Sequence, residues 1–170
     1  MNKQSIFFTI LTAFIAIALM LIIIQFISKK QKINSLLESQ INTSYSIWVS
    51  SIMISFVTYL KVALDLIENA IETIIFSKTI NYTFIAIMEK ISIFIGFTFL
   101  FTFFSYYLIN LIIKIFLGKR ELNMEIGNNN IGFFMVNGIS LILFTCSIIN
   151  LFEHFLRWFS PIFETPFYHR

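Results

Sequence analysis

The stretch ISIFIGFTFLFTFFSYYLINLII, residues 91–113, decides the fold. It contains no Asp, Glu, Lys or Arg, and at helical rise about 20 such residues cross the hydrocarbon core of a bilayer. Ile, Leu and Phe follow one another without the polar alternation of a barrel strand, so a helix is the form that satisfies this backbone in lipid. Three more charge-free stretches accompany it: Gln4–Ser28, Ser39–Leu60 and Ile126–Phe152. The expected fold is an all-α integral membrane protein with four transmembrane helices. The uncharged run 79–88 is too short to cross.

Composition agrees. Of 170 residues, 58% are hydrophobic and only 12% are charged, about half the charged share of an ordinary soluble domain. Twenty-two Phe, one Cys and a formal charge of +3 fit neither a disordered tail, a disulfide scaffold nor a nucleic-acid binder. The first run is longer than a signal-peptide core, lacks an Ala-x-Ala exit and ends at Ser28-Lys29-Lys30-Gln31-Lys32, so it reads as a retained anchor.

Each side of the membrane receives six basic residues: Lys29, Lys30, Lys32, Lys114, Lys119 and Arg120 against Lys3, Lys61, Lys78, Lys90, Arg157 and Arg170. The three lysines after the first span outweigh Lys3, which places both short basic loops in the cytoplasm and both termini outside.

The chain also matches itself at offsets of 85 and 86: Lys29 on Lys114, Leu37 on Leu122, Ile41 on Ile126, Ser55 on Ser140 and Glu68 on Glu153, with Asn42-x-Ser44-x-Ser46 on Asn128-x-Asn130-x-Gly132. Two tandem helix hairpins follow, as a parallel internal repeat about an axis along the membrane normal. The expected segments are a first hairpin with an amphipathic extension (1–76), an interfacial connector (77–90), a second hairpin (91–152) and an interfacial tail (153–170). In the extension Leu64, Ile67, Ile71, Ile74 and Ile75 form the apolar face, and Lys61 and Asp65, spaced i, i+4, suggest an ion pair.

Helices associate in lipid through small residues and interhelical hydrogen bonds. On the second span Ser44, Ser51, Ser55, Thr58 and Asp65 fall on one face, with Lys61 beside them; on the fourth, Asn137, Ser140 and Ser147 do so. The first offers Thr9, Ala13 and Ala16, and the third Thr98, Thr102 and Ser105. These faces suit helix packing, or else a path for a polar solute in which Asp65 is the ionisable group. Tyr45, Trp48, Tyr82 and Trp158 suit the headgroup belt, and Pro161 and Pro166 end regular structure.

Catalytic and cofactor chemistry is not visible. His154 and His169 lie near the C-terminus, so they cannot hold a haem between spans, and no His/Cys set has zinc spacing. Cys146 reads as a small buried thiol. Gly127-Asn128-Asn129-Asn130 lacks the second glycine and the Lys-Ser/Thr pair of a phosphate loop, and reads instead as a turn into a helix capped by Asn.

Glu125-Ile126-Gly127-Asn128-Asn129-Asn130-Ile131-Gly132, followed by a span containing Gly138, resembles the Glu-Ile/Leu...Gly-Asn-x-Ala-x-Ala signature of the DUF350 family of small bacterial inner-membrane proteins. Asn130 and Gly132 stand where that signature has alanine, and the first half keeps only Asn42-x-Ser44-x-Ser46. The resemblance implies two tandem hairpins over nearly the whole chain and a role in envelope maintenance or stress systems, and it carries over no catalytic residue and no cofactor. The leading expectation is a non-enzymatic, multi-pass component of the bacterial cytoplasmic membrane, assembling with itself or a membrane-protein partner. The alternative is a small channel or a proton- or cation-coupled transporter using the helix-two polar stripe.

Overall fold

The computed structural model describes residues 3–30, 36–37, 40–76 and 82–161. Four long helices dominate them: α1 (Lys3–Lys30), α2 (Thr43–Phe76), α3 (Thr83–Leu117) and, after the six-residue α4 (Leu122–Gly127), α5 (Ile131–Arg157). All four long helices are long and apolar enough to cross a membrane, which fits a multi-pass membrane protein. Between α1 and α2 two short strands, β1 (Leu36–Leu37) and β2 (Gln40–Ile41), pair antiparallel, Leu36 opposite Ile41.

The segment boundaries depart from expectation at the start of each span of the second half. α3 begins at Thr83, so 83–90 belongs to a continuous helix and not to a separate connector; Glu89 and Lys90 are good helix formers and do not interrupt it. The charge-free run from Ile126 is broken, because Asn129 adopts a positive φ of 49° between α4 and α5. Residues 162–170, which hold Pro166, His169 and Arg170, lie outside the described residues.

Contacts at opposite ends fix the directions. Ser28 meets Tyr45 (3.3 Å) and Ser5 donates to Glu72 (3.4 Å), so α1 and α2 run antiparallel. Trp48 reaches Tyr106 while Phe56 stacks near Phe99, which sets α3 antiparallel to α2. Asn110 faces Asn137 and Phe97 faces Phe155, which sets α5 antiparallel to α3. α2 and α5 are therefore parallel. α2 is the hub: it packs on α1, α3 and α5, whereas α1 leans chiefly on α2.

α1 turns Ser5, Thr12, Ala16, Met20, Ile24 and Ser28 inward, a face centred beside the expected Thr9 and Ala13, which are half-buried. On α3, Thr98, Thr102 and Ser105 are all buried, each hydroxyl donating to a carbonyl one turn back.

α2 is 34 residues long, about 50 Å at 1.5 Å per residue and far more than the hydrocarbon core needs. Beyond Leu60 its buried side is Ala63, Leu66, Ile67, Ala70, Ile71 and Ile74, and Lys61 and Asp65 lie exposed. The core divides accordingly. One cluster, around Met20, Trp48, Phe56 and Phe134, fills the half where α2 begins; the other, around Tyr59, Ile67, Phe94 and Phe152, fills the half where α2 ends.

Candidate functional site

The parallel course of α2 and α5 brings their N-terminal ends to the same face as the C-terminal ends of α1 and α3. α4 and its turn close over this face, and the side chains of the turn are the fasteners. Asn42 donates through Nδ2 to the carbonyl of Ile126 (2.6 Å) and accepts through Oδ1 from the backbone N–H of Ser44 (2.9 Å) and Tyr45 (3.4 Å). The amide is thereby oriented by its partners: its nitrogen faces a carbonyl and its oxygen faces the unpaired N–H groups of the first turn of α2. Asn129 Oδ1 accepts from the same Ser44 N–H (3.1 Å). Asn130 caps α5, accepting from Phe133 N–H (3.2 Å) and donating to Glu125 Oε2 (2.6 Å). Glu125 completes the set by accepting from Arg120 Nη1 at 3.0 Å.

The stretch that resembles a family motif is thus a joint that seats α4 against α2 and starts α5. Glu125 and the asparagines act in it through hydrogen bonds, and Ile126 through a wholly buried side chain. Gly127 and Gly132 meet nothing that a Cβ would strike, and Asn128 serves as the C-cap of α4 through its backbone N–H. The asparagine that caps α5 as Asn42 caps α2 is Asn130, two residues beyond the Asn128 with which the sequence offset pairs Asn42.

Below the joint the two parallel helices interlock. A Cβ on Gly138 would come 3.0 Å from Ser51 Cβ, so glycine sets the crossing distance. One turn further on from Ser51, Ser55 and Thr145 share a hydrogen bond of 2.6 Å, both buried. Asn137 Nδ2 donates to Asn110 Oδ1 (2.7 Å), and one turn back from Asn110 the Tyr106 hydroxyl accepts from Trp48 Nε1 (2.9 Å). Tyr59 and Ser105 pair at 2.8 Å. A ladder of polar groups therefore joins α2, α3 and α5 by direct contact.

The residues expected along this ladder divide. Ser51, Ser55 and Asn137 are buried in it, and Ser44 beside the joint is buried as well. Ser140 is half-buried, and Ser147 is exposed, its hydroxyl donating to its own helix at Leu143 O. Thr58 likewise donates to Ile54 O, and Lys61 and Asp65 are exposed and form no ion pair with each other among the described residues. The cause is the step from Ser55 to Thr58: three residues fall about 60° short of a full turn, and the seven-residue step on to Asp65 adds about 20° in the same sense. Asp65 has rotated off the packed side that Ser51 and Ser55 share.

Thr145 and Asn110 were not among the expected residues. Thr145 follows Gly138 by seven and Asn110 sits one turn after Tyr106 on the buried edge of α3, so each carried a periodic signal. Trp48, expected in the headgroup belt, is a core residue with 2% exposure because Tyr106 satisfies its N–H inside the bundle, whereas Tyr82 and Trp158 are exposed. Cys146, expected as a buried thiol, lies on the exposed side of α5. No group of three or more His, Cys, Asp or Glu that could hold a metal ion occurs among the described residues.

Between the end of α3 and the start of α4 a cleft of about 280 Å³ opens beside this ladder, lined among others by Tyr106, Asn110, Lys114, Arg120 and Phe133. Comparison with protein-family models, with curated proteins and with solved structures yields no match.

Proposed function

We propose that this chain is a non-enzymatic integral membrane component that assembles with itself or with a partner membrane protein in bacterial envelope maintenance. The observation that carries the assembly is a groove of about 270 Å³ along the outer side of the α2–α5 interlock, where Ser46 and Ser50 on α2 oppose Met135, Gly138 and Ile139 on α5. Ser50, Met135 and Ile139 are exposed along it. Small residues one turn apart let another helix approach closely, so that van der Waals packing and interhelical hydrogen bonds can drive association in lipid.

Cross-linking tests this. In a Cys146→Ser background, Ser50→Cys should give a disulfide-linked dimer on oxidation in membranes, and Phe104→Cys on the outer side of α3 should not. Equal linking at both positions, or a chain that stays monomeric and retains no partner on purification, would remove the assembly reading.

The envelope role and the family assignment rest on the resemblance of residues 125–132 and on the four spans. The duplication into two parallel hairpins is part of the same reading, and it is supported by the parallel course of α2 and α5. We place the termini outside the cytoplasmic membrane, supported by the gathering of Lys29, Lys30, Lys114, Lys119 and Arg120 at one end of the bundle. In the same cysteine-free background an impermeant thiol reagent added to intact cells should label Tyr82→Cys and spare Lys119→Cys; the opposite pattern reverses the orientation.

A further inference from the structure

The cleft beneath the turn from α3 into α4 has a use that the packing ladder does not explain. Lys114 follows the last uncharged residue of the 91–113 span, so the mouth of the cleft lies where a span meets the headgroup layer. The end of the bundle around it is basic: Lys29, Lys30, Lys114, Lys119 and Arg120 are offset by Glu121 and Glu125 among the described residues. Arg120 is held in a fixed attitude, with Nη1 on Glu125 (3.0 Å), Nε directed at the Leu117 carbonyl (3.4 Å) and the guanidinium carbon 5.8 Å from the centroid of Phe133. Neither bond uses Nη2, and a guanidinium fixed in this way presents its remaining donors as a pre-oriented fork for phosphate oxygens. Lys114 is exposed and supplies a second charge on the same cleft. Further in, the walls are polar at Tyr106 and Asn110 and apolar at Ile113 and Leu122.

We propose that this cleft binds a phosphate ester, with the phosphate held between Lys114 and Arg120 and the organic part lying along Ile113, Leu122 and Phe133. A snorkelling lysine alone requires no cleft, and the packing ladder, which already engages Tyr106 and Asn110, requires neither Lys114 nor Arg120. The chemistry is shared by the headgroup of an anionic phospholipid and by a soluble phosphate monoester, and two measurements separate them.

The full chain, purified in mild detergent, is equilibrated with mixed phosphatidylglycerol and phosphatidylcholine and the lipid retained per protein is counted by native mass spectrometry. Phosphatidylglycerol should be retained preferentially. Lys114→Gln should lower that retention at least threefold, and the double variant Lys29→Gln/Lys30→Gln, on the same face outside the cleft, should retain it as the native chain does. Arg120→Gln also breaks the bond to Glu125, so it is read only where its melting temperature matches that of the native chain; Lys114→Gln carries the test alone otherwise. In the second measurement glycerol 3-phosphate is added at millimolar concentration. A rise in melting temperature for the native chain and not for Lys114→Gln, without selective lipid retention, identifies the soluble ester as the source and keeps the site. Equal retention in all forms with no thermal response, or equal loss in Lys114→Gln and the Lys29/Lys30 variant, would overturn the proposal, because either result reduces the effect to general surface charge.

Discussion

The two ends of the bundle are held by different chemistry. Where α2 and α5 begin, asparagine side chains bind backbone groups of neighbouring segments, glycine sets the crossing distance and hydroxyls pair between helices. Where α2 ends, rings pack on rings: Tyr59 on Phe152, Phe101 on Phe152 and Phe97 on Phe155 all have centroids 4.8 Å apart. In water the aromatic end would be the stronger, since buried rings dominate core energetics. In lipid a separated Phe is already in an apolar solvent, and only the packing contacts are lost when helices part. The polar end keeps its directional bonds and its close approach, so it should fix the register of α2 against α5 while the aromatic end tolerates change.

The sharpest way to break that comparison is a wedge at the crossing. Gly138→Leu adds a branched side chain where even a Cβ would stand 3.0 Å from Ser51 Cβ, and we expect about 3 kcal/mol of destabilisation, read as an earlier midpoint in detergent-induced unfolding. Gly138→Ala should cost less, because its one methyl needs a smaller shift. A normal midpoint for the leucine variant would mean that the helices cross elsewhere.

Next in size is Asn42→Ala, which removes the donor to Ile126 and the acceptor of two N–H groups. The loss of a cap and of an interhelical bond should amount to about 2 kcal/mol. Phe152→Leu, which keeps an apolar group but gives up ring contacts with Tyr59 and Phe101, should cost no more than about 1 kcal/mol, because in lipid only packing contacts are lost. Both are read from unfolding midpoints in one detergent. If Phe152→Leu proves the more damaging, the aromatic end and not the asparagine joint is the stronger fastener.

A smaller effect belongs to the hydroxyl pair. A double-mutant cycle on Ser55→Ala and Thr145→Val should return a coupling of about 0.6 kcal/mol, the usual worth of an interhelical bond inside a membrane protein. A coupling near zero would mean that the 2.6 Å contact contributes shape and no bond energy.

How far the sequence foretold this arrangement differs between the two ends as well. The four spans were plain, because a charge-free run of Ile, Leu and Phe leaves the backbone one solution in lipid. The asparagine cap was anticipated at Gly127–Asn130, since Asn is a strong N-cap residue, yet its bond partners were not, because Asn42 and Ile126 are brought together only by the parallel course of α2 and α5. Of the serine stripe of α2, Ser44, Ser51 and Ser55 are buried, whereas the three-residue step to Thr58 turns the rest of the stripe about 60° away from that side. The aromatic cluster gave no periodic signal of its own: with 22 Phe in the chain, nearly every face of α3 carries one. The amphipathic extension was visible, because Ile67, Ile71 and Ile74 recur at helical spacing against Lys61, Asp65, Glu68 and Glu72, and α2 does continue to Phe76.

The smallest expected effect falls on Asp65, and there the absence of change is informative. Asp65 is exposed and has turned away from the side where Ser51 and Ser55 pack, so it takes no part in the interlock of α2 with α5. It also lacks the ion pair with Lys61 that its i, i+4 spacing suggested, and exposed pairs of that kind are worth only a few tenths of a kcal/mol where they do form. Asp65→Asn should therefore leave the unfolding midpoint within about 0.3 kcal/mol of the native chain. A conducting path would require more of this residue, since an ionisable side chain at membrane depth is costly unless it faces water or a partner. Liposomes containing the native chain should pass no protons or small cations under an imposed gradient, and liposomes with equal amounts of Asp65→Asn should behave the same. A leak through the native chain that disappears on this single substitution would make Asp65 the centre of a transport path, and the region beyond Leu60 would then be the working part of the molecule instead of an outlying extension of its packing.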